Sequence, residues 1–155
     1  MRRTTMAGAL SIVVLVALAS LAFAKGVALE GKFKVTATVG ANDFGIDPGT
    51  KTKNTYKFKC ANDACTQVKL TRVDAGGTYK STLKLSGSTY SGTEGPYPYP
   101  SCPDNGAATF TVDHKVKISD DDGDEATKIS GTAATKIHDC DFASFVDYKV
   151  KGKLK

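Results

Sequence analysis

The chain has no tryptophan, only two histidines and two methionines, and just four cysteines and five prolines in 155 residues. Without tryptophan, an immunoglobulin-type sandwich loses the ring that packs between its sheets. No Gly-x-Ser-x-Gly elbow is present to raise a serine nucleophile. No segment beyond the N-terminal region has helical periodicity of useful length, so no glycine loop can open a helix and cradle phosphate. A zinc knuckle needs two close thiolate pairs, and only Cys60 and Cys65 lie close together. The net charge of +5 is mildly basic and by itself argues for no polyanion partner, nucleic acid included.

The N-terminus has three zones. Arg2 and Arg3 form a short basic region, Ala7–Leu21 is an uncharged apolar run, and Ala22-Phe23-Ala24 is a small-x-small cleavage site. The run falls short of the ~20 residues a membrane-crossing helix needs. The sequence therefore predicts a signal peptide over residues 1–24 and one disulfide-stapled β domain over 25–155, secreted or otherwise extracytoplasmic, with no transmembrane anchor after cleavage. Cleavage lowers Lys+Arg from 21 to 19 against 16 acids, which leaves +3. An even cysteine count in an exported chain implies two disulfides. Cys60 and Cys65 flank a turn-rich tetrapeptide and are expected to pair, leaving Cys102 to pair with Cys140.

What the chain has instead is a period of two. Phe33, Val35, Ala37 and Val39 alternate with Lys and Thr, and similar alternation marks the stretches around Phe58, Leu70, Leu83, Val112, Ile129 and Val150, with a weaker strand over Thr89–Thr93. Eight strands, each with one polar face, exclude a buried parallel sheet. Short loops favour antiparallel neighbours. The expected fold is all-β, an antiparallel up-and-down barrel of about eight strands, with a β-sandwich as the alternative. The expected inward residues are Phe33, Val35, Phe58, Val68, Leu70, Leu83, Leu85, Phe110, Val112, Val116, Ile129, Tyr148 and Val150. Small inward residues, among them Ala37, Ser81, Gly92, Gly131 and Ala133, leave room for a cavity.

Four features are candidate sites. The stretch Glu94–Asn105 carries Pro96, Tyr97, Pro98, Tyr99, Pro100 and Pro103, and is expected to be an extended loop outside any ladder. Tyr97 and Tyr99 offer aromatic faces for recognition, and with Arg72 and His114 they make up the candidate binding residues. Asp120, Asp122 and Asp124, in the loop between strands six and seven, have the spacing of the first three ligands of a calcium loop. Glu125 stands where that loop needs glycine and Gly131 where it needs glutamate, so any calcium binding should be weak; no other cofactor is expected. Pairing Val116 with Ile129 would set His114 opposite Gly131 and His138 opposite Ala107. Seven residues at ~3.4 Å each then put the two rings about 24 Å apart, too far for one site. Finally, Lys32 and Lys34 on the first strand and Lys149, Lys151, Lys153 and Lys155 on the last would be brought together by barrel closure. Their charge suits an anionic envelope component or plain solubility.

The run from Tyr56 through Cys60, Cys65 and Leu70 to Arg72, then Gly77-Thr78-Tyr79, Cys102, Ile129-Ser130-Gly131-Thr132 and Cys140, resembles a pattern in small secreted proteins of bacteria such as actinobacteria. That resemblance implies an exported domain and no defined activity. The architecture is similar to lipocalin-like barrels, with Gly31-Lys32-Phe33 standing where lipocalins begin with Gly-x-Trp. These readings point to a monomeric, non-enzymatic binding protein for a small apolar ligand or an anionic cell-envelope component. The rivals are an interaction module acting through the Tyr-Pro segment and a hydrolase-type enzyme using His114.

Overall fold

The computed structural model describes residues 27–99, 108–139 and 144–155. The expected leader over residues 1–24 and the expected Cys102–Cys140 pair lie outside them. Eight strands follow one another: β1 (Gly31–Asn42), β2 (Lys51–Cys60), β3 (Gln67–Asp74), β4 (Gly77–Ser86), β5 (Thr89–Tyr99), β6 (Ala108–Asp122), β7 (Glu125–His138) and β8 (Phe145–Leu154). Each pairs antiparallel with the next, and β8 returns to pair with β1, from Phe33 opposite Leu154 to Asn42 opposite Val146. The barrel is therefore closed and up-and-down. Closure gives every strand two neighbours, although β4 and β5 pair only between Lys84–Ser86 and Thr89–Ser91.

Alternation sets the inner face. Phe33, Val35, Tyr56, Phe58, Val68, Leu70, Leu83, Val112, Val116, Ile129 and Val150 are buried in one cluster. Phe110 and Tyr148 are half-buried at one end. Leu85 departs from expectation and is 36% exposed. It keeps the inward parity of Leu83 but lies beyond the rim, one residue before the β4–β5 turn.

One end of the barrel is plugged. Leu29 is fully buried there, held by an Ala28 N–H donating to the Asp124 carbonyl (2.9 Å) and by Ala126 N–H donating to the Ala28 carbonyl (3.3 Å). The Cys60–Cys65 disulfide forms at this end, as its spacing predicts. The Tyr90 hydroxyl donates to the Cys65 carbonyl across 2.8 Å and ties that loop to β5.

Three local expectations change. Val116 pairs with Gly131 rather than Ile129, and His114 lies opposite Ala133. Irregularities between Ile118 and Asp121 shift the β6–β7 register by two residues. An even shift leaves every side chain on its expected face. His138 consequently falls opposite Thr109, exposed, with its Nε2 2.9 Å from Thr111 Oγ1. The acidic stretch is not one loop. Asp120–Asp122 end β6, Glu125 begins β7, and the turn is only Gly123-Asp124, with Gly123 at φ +65°.

The proline-rich stretch also differs, for β5 runs through Pro96 and Pro98 to Tyr99. Its ladder with β6 skips between Glu94 and Tyr97, then resumes with Tyr97 opposite Phe110 and Tyr99 opposite Ala108. Proline is tolerated because β5 pairs with β4 only from Thr89 to Ser91, so no β4 partner awaits the missing N–H groups. Tyr97 bridges the gap. Its hydroxyl accepts from Lys80 N–H (3.2 Å) and donates to the Lys80 carbonyl (3.1 Å).

Two small inward residues serve approach, not space. A Cβ on Gly131 would come within 1.9 Å of the Lys115 carbonyl oxygen, and one on Gly92 within 2.4 Å of the Thr82 oxygen. Ala37 and Ala133 do border a cavity, at the end opposite the plug.

Candidate functional site

At that open end the barrel holds a cup of about 570 Å³. Its wall includes Tyr56, Tyr79, Phe110, Val112 and Tyr148, interrupted by Asn54, Thr135 and Arg72. The aromatic wall is self-supporting. The Tyr79 and Tyr97 rings meet at 5.1 Å, Tyr79 and Phe110 at 5.9 Å, and Tyr97 and Phe110 at 5.6 Å.

Beneath the cup lies a charged cluster within an otherwise apolar barrel. Arg72 continues the inward face of Val68 and Leu70 on β3, Glu94 that of Tyr90 on β5, and His114 that of Val112 and Val116 on β6. Arg72 is 8% exposed, His114 1% and Glu94 0%. The guanidinium grips Glu94 through Nε (3.2 Å to each oxygen) and Nη2 (2.6 Å to Oε1). Its other terminal nitrogen pairs with Asp74 at the β3–β4 turn. Tyr79 covers the guanidinium carbon at 4.3 Å, a cation–π contact. His114 Nε2 lies 3.1 Å from Glu94 Oε2, and its ring meets Tyr56 edge-on at 5.8 Å.

Burial is the largest influence on Glu94 and opposes its ionisation. The hydrogen bonds from His114 and Arg72, with the charge on Arg72, outweigh it and hold the carboxyl below its ordinary value. Glu94 is thus a carboxylate at neutral pH, so His114 Nε2 must carry the proton it shares. Burial pushes the Tyr56 phenol far above its ordinary value, against a downward pull from Arg72 and with a smaller upward push from Glu94. Burial likewise raises Tyr148. Both phenols remain O–H donors over the physiological range. Among the described residues, His114 Nδ1 and Ser81 Oγ are buried without a hydrogen-bond partner.

The expected binding residues have divided roles. Arg72 lines the cup and His114 lies under it, joined through Glu94. Tyr97 buttresses the wall through Tyr79 and Phe110, whereas Tyr99 stands half-buried at the end of β5 and is not among the cup's lining residues. Glu94, Asp74, Tyr56 and Tyr79 were not among the expected site residues. The signal for Glu94 was its parity: Tyr90, Gly92 and Glu94 share a face, opposite two other inward polar residues. The calcium triad is not assembled. Among the described residues no group of three or more ligating side chains is placed to hold a metal, and Asp120 pairs with Lys128 at 2.6 Å. His114 is buried against the Tyr56 ring.

No known family model matches the chain, and no curated protein matches it either. The geometry alone carries the functional argument.

Proposed function

We propose that the protein is an extracytoplasmic, non-enzymatic binding protein that holds one small ligand with an apolar, uncharged body in the barrel mouth. The observation that carries this reading is the cup itself, about 570 Å³ and walled by aromatic side chains around a few fixed polar groups. Small-ligand sites have this size and make-up, roughly 300–1,000 Å³ and mostly apolar. Arg72 is already engaged by Glu94 and Asp74, so it does not select an anionic ligand body, and the exposed Lys53 is the other cation bordering the cup. Tyr56 and Tyr148 supply hydroxyl donors for a polar end. Export is supported by the N-terminal apolar run with its cleavage site and by the Cys60–Cys65 disulfide, a bond that persists in oxidising compartments. Among the described residues no helix is long and apolar enough to cross a membrane.

The interaction-module rival loses its main support, because Tyr97 spends its hydroxyl and ring on closing the β4–β5 gap. Native mass spectrometry of protein purified from its own host tests the proposal. The wild type should carry a retained small molecule, and Ala133→Phe, which fills the cup from β7, should not. An empty wild type, or equal retention in both proteins, would overturn the reading.

A further inference from the structure

The outer wall of the barrel carries lysine with little counter-charge. Register places like charges face to face: Lys34 opposite Lys153, and Lys153 opposite Lys128. Around the wall Lys32 faces Lys57. Hydroxyls fill the rungs between. Lys151 sits between Ser130 and Thr36, and Lys149 between Thr132 and Thr38. The lysines named here are exposed.

Few of the described acids face this field, and among the described residues the one salt bridge found there joins Asp120 to Lys128 at its margin. Asp120–Glu125 cluster at the β6–β7 turn, Asp43 and Asp47 lie in the β1–β2 loop, and Asp63 lies in the disulfide loop. Asp113 and Asp147 stand on outward strand positions toward the mouth, and Asp113 is taken by Lys136 and Thr93. Like charges directly opposite one another destabilise a sheet. Solubility alone is served by mixed signs. Apart from Lys128, which Asp120 meets at 2.6 Å, the wall keeps its repulsion unrelieved and calls for counter-charge from outside.

We propose that the outer face of β7, β8, β1 and β2 docks a linear anionic polysaccharide. Three observations select this occupant. The wall is convex, so a flat bilayer would touch few of its lysines at once, whereas a flexible polymer can follow the curve. Among the lysines themselves no large apolar side chain projects for insertion into lipid; Phe145, 40% exposed, stands apart at the first position of β8, beyond Asp147. Thr and Ser hydroxyls lie between the charges, where they can bond the sugar hydroxyls between successive anionic groups. Charged positions repeat at ~6.8 Å along a strand and at roughly 9.6 Å across alternate strands, so an extended polymer meets a cation in either direction. This inference does not depend on the cup.

The test uses the leader-free chain and immobilised alginate, with neutral dextran and phosphatidylglycerol vesicles as comparators. Alginate should bind, dextran should not, and affinity should fall steeply with added salt. The triple variant Lys34→Ser, Lys151→Ser and Lys153→Ser should bind about tenfold more weakly while melting no lower than the wild type, which excludes misfolding. The triple variant Lys69→Ser, Lys80→Ser and Lys84→Ser, with the same net charge, should lose clearly less. The proposal fails if alginate does not bind at low salt, if both triple variants lose equally, or if vesicles bind more tightly than alginate.

Discussion

Removing the Glu94 carboxylate should be among the most damaging single changes in the barrel, and the size of the loss follows from its partners. Glu94 is wholly buried and accepts from two nitrogens of Arg72 and from His114 Nε2. Breaking one side of a buried ion pair costs ~3–5 kcal/mol, because the remaining charge is stranded. Arg72 keeps Asp74, which is partly exposed, so Glu94→Ala belongs at the lower end, about 3 kcal/mol. For a domain of this size that is a fall in Tm of about 10 °C. Removing both charges should cost far less, since apolar replacements of buried pairs are often neutral. Glu94→Leu with Arg72→Met should therefore recover most of the loss. Urea titration and thermal melts read both variants. A loss below about 1 kcal/mol for Glu94→Ala, or a double variant no more stable than the single, would refute the assignment of Glu94 as a charged hub.

The same hub fixes the sign of the pH dependence. The folded-state pKa of Glu94 lies below its ordinary value of 4.5. Its stabilisation is therefore fully present above that ordinary value and is lost as pH falls through the lower folded value. Asp113, held down first by the Thr93 hydrogen bond and then by Lys136, contributes in the same direction. Wild-type stability should thus drop on the acid side of about pH 4.5. Glu94→Gln, less stable at neutral pH, should show a shallower acid limb without losing it entirely. An unchanged slope would place the Glu94 proton equilibrium outside the folding balance.

Other outcomes follow from single contacts. Gly131→Ala places a methyl group against the Lys115 carbonyl, backbone that cannot swing aside; Tm should fall well beyond the ~0.5 kcal/mol typical of surface changes, as thermal melting would show. Cys60→Ser with Cys65→Ser releases a loop of sequence separation 5 and should cost about 2 kcal/mol in chemical denaturation. Tyr97→Phe leaves the Lys80 N–H and carbonyl without their β5-side partner; amide exchange at Lys80 should accelerate while the Glu94 cluster is undisturbed. Calcium and magnesium at matched ionic strength should shift Tm equally, because Asp120 is already paired with Lys128 and no acidic triad is assembled.

The barrel was legible because a period of two is a statement about parity, and parity survives error. The expected pairing of Val116 with Ile129 was two residues out, yet Val112, His114 and Val116 still face inward. The bulges that cause the shift leave no pattern in a run of six residues that includes five acids. The cup was harder to see because apolar periodicity finds what is apolar. Phe110 and Tyr148 are readable as inward residues and Tyr56 shares the parity of Phe58, but the inward Glu94 reads as the start of a loop. Proline misled there for a physical reason. It forbids a donor, and on β5 beyond Ser91 no β4 partner requires one.

What the cluster contributes is better argued from its place than from its strength. Below it the barrel is filled by Leu29, Phe33, Phe58, Leu70, Leu83 and Val116, as a barrel built for stability would be. Above it the barrel is hollow. At the boundary stand Arg72, Glu94 and His114, whose burial an apolar trio could match or better in stability. Their benefit is position. Arg72 is fixed by Glu94, Asp74 and the Tyr79 ring at once, and Tyr56 rests on His114, so the floor of the cup has little freedom to reorganise when something enters. A floor held rigid before binding spares the ligand the entropy of ordering it.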